Sequence, residues 1–169
     1  MRLFVFILSS FFLFVGCKDV KKEVTNLSTE KSKTIGAETG ELLANPITYD
    51  VVVKNPDPDD TWAEERLEDL NLDKLIELIF GAIEDGQATA FNYHTGETMS
   101  LKDIKKLEKT EEFEKSKIAK VQFVEDWYFD DKSFTMQKKV KSIMLAYEVY
   151  DQFGKIRGYK AAFKIDLNE

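Results

Sequence analysis

Residues 117–150 read KIAKVQFVEDWYFDDKSFTMQKKVKSIMLAYEVY, and the order of their apolar side chains carries most of the structural information in the chain. Ala119, Val121, Phe123, Trp127 and Phe129 recur at a spacing of two, interrupted only by Glu125, which places them on one face of a strand. Asp130-Asp131-Lys132-Ser133 supplies a turn, and a second strand runs from Phe134 to Tyr150, most apolar between Val140 and Val149. Asp151 to Gly154 turns into a third strand over residues 156–165. Three successive strands joined by short turns predict an antiparallel meander.

Upstream of the meander the period changes. Leu72, Leu75, Ile76, Ile79 and Ile83 follow helical spacing, with Asn71 or Asp73 as the N-cap and Gly86 where a left-handed C-cap belongs. Thr61 with Glu64 fits a capping box and predicts a short helix over residues 62–70; Ser100 with Asp103 marks a further helix carrying Leu101, Ile104 and Leu107. Residues 47–53 and 87–93 have strand-like composition, the first ended by the turn-rich residues 55–60 and the second by His94-Thr95-Gly96. Helices that come before a strand meander predict an α+β class, with two or three N-terminal helices packed on a C-terminal antiparallel β-meander in one domain, residues 46–169.

The chain of 169 residues has a formal charge of -7, 43% hydrophobic residues, one cysteine and one histidine. One cysteine excludes a disulfide scaffold, and the acidic balance disfavours nucleic acid as a partner. Residues 1–16, MRLFVFILSSFFLFVG, have the layout of a secretory signal: Arg2, a short apolar run, then Cys17 and a switch to KDVKKE. The apolar run covers roughly 20 Å as a helix, short of the roughly 30 Å hydrocarbon core of a bilayer. Phe14-Val15-Gly16-Cys17 resembles the lipobox of bacterial lipoproteins, which implies a lipid on Cys17 carrying acyl chains such as palmitate, and anchoring to a membrane. Residues 17–45, rich in Lys, Glu, Thr and Ser, read as a flexible tether. The expected location is the outer membrane with the domain facing the periplasm; Lys18-Asp19 leaves the cell surface as the alternative.

No motif points to catalysis, a cofactor or a metal, so the chain is read as non-enzymatic. His94 lies in a turn context with no second His or Cys to share a metal. Asp57, Asp59, Thr61 and Glu68 have the spacing of a calcium loop, but Trp62 stands where that loop needs glycine. Glu125-Asp126 and Asp130-Asp131 read as solvated acids at strand ends, since strand neighbours point to opposite faces. Lys139 and Lys141 share a face and suit an edge strand or a contact with an acidic partner.

Two stretches together carry a family resemblance. DKLIELIFGAIEDGQATAFNY (residues 73–93) is similar to the segment of the GldN/PorN proteins of gliding motility and type IX secretion in which an apolar helix, a glycine and a short Thr-Ala-aromatic strand follow one another. Residues 117–146 resemble that family's strand pair around Glu-Asp-Trp, here Glu125, Asp126, Trp127, Tyr128, Phe129 and Asp130. Members of the family are longer and assemble with a separate lipoprotein into a ring beneath the outer membrane. The resemblance implies an accessory or structural subunit whose partners are envelope or secretion-complex proteins. A stand-alone ligand-binding lipoprotein is the alternative. A packed Trp127 and Phe129 suit the first reading; aromatics converging on a cavity suit the second.

Overall fold

The meander forms where the alternation places it. A computed structural model describes residues 40–167; the signal segment, Cys17 and the tether up to residue 39 lie outside the described residues. In chain order come β1 (Glu41–Val52), α1 (Thr61–Leu67), α2 (Leu72–Glu84), β2 (Ala90–Phe91), β3 (Thr98–Met99) and α3 (Leu101–Leu107). After a 3-10 turn at Lys115–Lys117 follow β4 (Ile118–Asp130), β5 (Thr135–Tyr150) and β6 (Ile156–Asp166). The class is α+β, with three helices and one six-stranded antiparallel sheet among the described residues, in the order β1-β4-β5-β6-β2-β3.

The meander is therefore the middle of a wider sheet. Among the described residues β1 precedes every helix, and it forms the edge beside β4, with Tyr49 opposite Phe123 and Val51 opposite Val121. It begins at Glu41, inside the stretch read as tether, because Glu41 and Leu42 have partners in Phe129 and Tyr128 at the far end of β4. Gly40 makes this approach possible. Its φ is +110°, and a Cβ there would stand 2.4 Å from the Phe129 carbonyl oxygen, so only glycine fits.

Helix ends follow local chemistry. Asn71 caps α2 by accepting from the Lys74 N–H at 3.0 Å, Ser100 and Asp103 close a reciprocal capping box on α3, and Gly86 has φ +70° beyond α2. At α1 the cap is Asp60 rather than Thr61: its carboxylate accepts from the Ala63 N–H at 2.9 Å, leaving Thr61 as the first helical residue.

The core lies between α2, α3 and one face of the sheet. Ile76, Ile79, Phe80 and Ile83 of α2 meet Val121, Leu145, Tyr147, Phe163 and Ile165. Phe80 packs edge-on against Phe163 at 5.2 Å between ring centroids, and Phe113 against Tyr147 at 5.1 Å. Burying a side chain of this size contributes about 1.5–3 kcal/mol. The cover is unequal along the β4–β5 hairpin. β6 pairs with β5 only from Ser142 to Tyr150, whereas the β4–β5 ladder continues to Asp130 opposite Thr135. Residues 135–138 are exposed.

Candidate functional site

The residues around Glu125 are the first candidates, and the structure corrects their expected setting. Glu125 and Asp126 are 4% and 3% exposed, not solvated strand-end acids. They sit in the middle of the ladder, opposite Val140 and Lys139, with β1 on the other side. On one face Glu125 accepts from the Trp127 indole N–H at 2.9 Å, with the Lys138 ammonium at 3.7 Å. The same carboxylate receives the Tyr49 hydroxyl, whose pKa is raised first by burial and then by that bond. Lys138 also stands 4.6 Å over the Trp127 ring. On the other face Asp126 Oδ2 meets the Lys141 ammonium at 3.0 Å, while Asp126 Oδ1 has no hydrogen-bond partner. This arrangement is a buried ion-paired brace, in which each acid is held by a lysine from β5.

Asp130, by contrast, does turn work: it accepts from the Lys132 and Ser133 N–H groups, and the Ser133 side chain first, then these N–H bonds, hold its carboxyl below the usual range. Trp127 and Phe129 are half-buried on the extended part of the hairpin, outside the core cluster, and neither lines the groove beside β6. Lys141 is committed to Asp126, and Lys139 stands opposite the same acid. The edge expected for these lysines exists only locally, where β5 extends beyond β6.

A second site was not foreseen from the sequence. A groove of about 510 Å³ runs beside β6. Lys120, Gln122, Met144 and Tyr159 line it on the sheet face away from the core, and Tyr93, His94, Glu112 and Arg157 add to its wall. Its acids are engaged. Asp50 accepts from Gln122 at 2.8 Å and from Lys120 at 3.2 Å, and the Gln122 bond most strongly lowers its pKa. Glu112 binds Lys160 at 2.8 Å, which lowers the acid and raises the amine. Lys120 also lies 4.7 Å over the Tyr159 ring. Arg157 makes no ion pair among the described residues. Beside it, residues 156–161 of β6 have no strand on their outer side, because β2 pairs only with Lys164 and Ile165.

His94 lies exposed in the β2–β3 turn, where the Asn92 side chain accepts its backbone N–H. Asp57 accepts from the Asp59 N–H, and Asp60 caps α1. Among the described residues no three metal-ligating side chains come together, and no helix is long and apolar enough to cross a membrane. Glu148 also escaped the sequence reading. It is 2% exposed, pairs with Lys54 at 3.2 Å and accepts the Tyr150 hydroxyl, which pushes the Tyr150 pKa up to about 12. Its place inside an apolar strand carried no signal except the Tyr two residues on. No protein-family model matches the sequence, and no curated protein does.

Proposed function

We propose that this is a lipid-anchored, non-enzymatic envelope protein that docks on a gliding-motility or type IX secretion complex as an accessory or structural subunit. Cys17 carries the lipid, and the domain faces the periplasm from the outer membrane. The observation that carries the reading is the unpaired outer edge of β6 beside the groove. A row of free main-chain N–H and C=O groups accepts an added strand, and Arg157 favours an acidic one. The GldN-like stretches support the same reading: residues 73–93 and 117–146 occupy α2–β2 and the β4–β5 pair and contribute to one core. The groove's acids are each tied to a lysine, which suits docking better than proton transfer.

Purification of the lipidated protein from envelope fractions tests this directly. Ring and secretion-motor components should co-purify and be depleted by Arg157→Glu. Recovery of a monomer alone would overturn the reading. The groove volume also lies in the range of small-molecule sites, which favours a stand-alone ligand-binding lipoprotein as the second reading. A small molecule retained through native purification and lost in Tyr159→Ala would favour it.

A further inference from the structure

We infer that the tip of the β4–β5 hairpin is a membrane-contact element that seats the domain on the lipid surface holding Cys17. The inference rests on the Cys17 anchor proposed above and adds to it an orientation. Phe134 is 83% exposed, and Leu43, Met136 and Leu42 beside it are 57%, 48% and 46% exposed. Leu42 pairs with Tyr128, and Met136 with Phe129, so apolar side chains leave the tip on both faces of the ribbon. The Phe134 ring stands edge-on to Phe129 at 5.4 Å. Its φ is +54°, a left-handed conformation that a bulky side chain rarely adopts. Strained backbone that holds an aromatic ring out in water points to use of that ring elsewhere.

A lipid surface is the occupant because of where the chain joins the domain. Gly40 is packed on the Phe129–Asp130 backbone, at the hairpin tip itself. Cys17 precedes this point by only 23 positions in the sequence. A lipid on Cys17 would therefore lead into the domain at this end. Charge at the tip is mixed and slightly acidic, with Glu41, Asp130 and Asp131 against Lys132 and Lys138, the last paired with Glu125. The contact is thus apolar and independent of anionic lipid. The groove lies near Ala146, roughly 35 Å along β5 at about 3.3 Å per residue, so seating the tip turns the groove away from the membrane.

The test uses the full lipidated protein reconstituted in phosphatidylcholine vesicles that contain brominated phosphatidylcholine. Phe134→Trp reports on the tip and Phe153→Trp, in the β5–β6 turn where Phe153 is 78% exposed, on the opposite end; wild-type emission from Trp62 and Trp127 is subtracted. The added emission of Phe134→Trp should shift to the blue and lose more than half its intensity, while that of Phe153→Trp stays unquenched. Met136→Trp should repeat the first result if Phe134→Trp perturbs the turn. The Cys17 acyl mass is read beforehand, so that a protein without it overturns the anchor and this inference together. With the acyl group present, an unquenched tip overturns the inference alone, as does equal quenching at both ends. A doubled native mass with an unquenched tip would assign the patch to a second copy instead.

Discussion

The two halves of the β4–β5 hairpin share one antiparallel strand pair, broken by a bulge between Val124 and Glu125, and differ in almost everything else. From Ser142 to Tyr147, β5 is flanked by β4 and β6, and its inward face is roofed by α2, with Leu145 and Tyr147 at 0% and 1% exposure. From Thr135 to Val140 it has β4 alone, with Met136 and Lys138 in water. Hydrogen bonding is therefore common to both halves, whereas apolar burial belongs to one. Stability concentrates in the roofed half, and the bare half relies on ion-paired acids and side-chain stacking, leaving its apolar tip free for another surface.

This contrast can be broken by substitution. Phe163→Ala, in the roofed half, should cost about 3–5 kcal/mol in denaturant unfolding, because it opens a cavity against Phe80. Met136→Ala, in the bare half, should stay within about 0.5 kcal/mol. A comparable loss at both positions would erase the distinction. Glu125→Ala should cost about 1–3 kcal/mol by leaving the Trp127 N–H and Lys138 without their acceptor. Indole fluorescence should report that change before global unfolding does.

Smaller effects sharpen it. The hydrogen bond from its hydroxyl to Glu148 pushes the Tyr150 pKa up to about 12 in the folded chain. A tyrosine raised above its ordinary value of 10.0 stabilises the fold fully below that pH, and the contribution is lost as pH rises from about 10 to about 12. Glu148→Gln should move the phenol titration, followed by ultraviolet absorbance, back toward 10. Phe134→Asn should change stability least, by about 0.5 kcal/mol or less, since Asn tolerates φ +54° and the relief of strain offsets the lost ring contact with Phe129.

Much of the roofed half was legible in the sequence. The spacing of Leu72, Ile76, Ile79 and Ile83 and the alternation around Val121 report on burial directly, and burial is what shapes α2 and the meander. The caps at Ser100 and Gly86 were equally plain, and that of α2 was narrowed to Asn71 or Asp73, because they depend on residues a few positions apart. What escaped depends on partners distant in sequence. Glu125 and Asp126 look solvated until Lys138 and Lys141 are folded over them, and Glu148 is paired with Lys54 from the other end of the chain. β1 was cut short because Glu41 to Ala44 have no alternation of their own and are ordered only by the end of β4. The groove has no motif at all. It arises because β2 is too short to cover β6, which no local pattern announces.

The proposed molecule has two unlike ends, one seated on lipid and one presenting the β6 edge. Amide hydrogen exchange of the lipidated protein, compared between vesicles and detergent micelles of neutral headgroup, reads both ends at once. Slowing confined to residues 128–138 in vesicles, with 151–161 unchanged, is the predicted result. Uniform slowing, or a change at residues 151–161 with none at the hairpin tip, would contradict it.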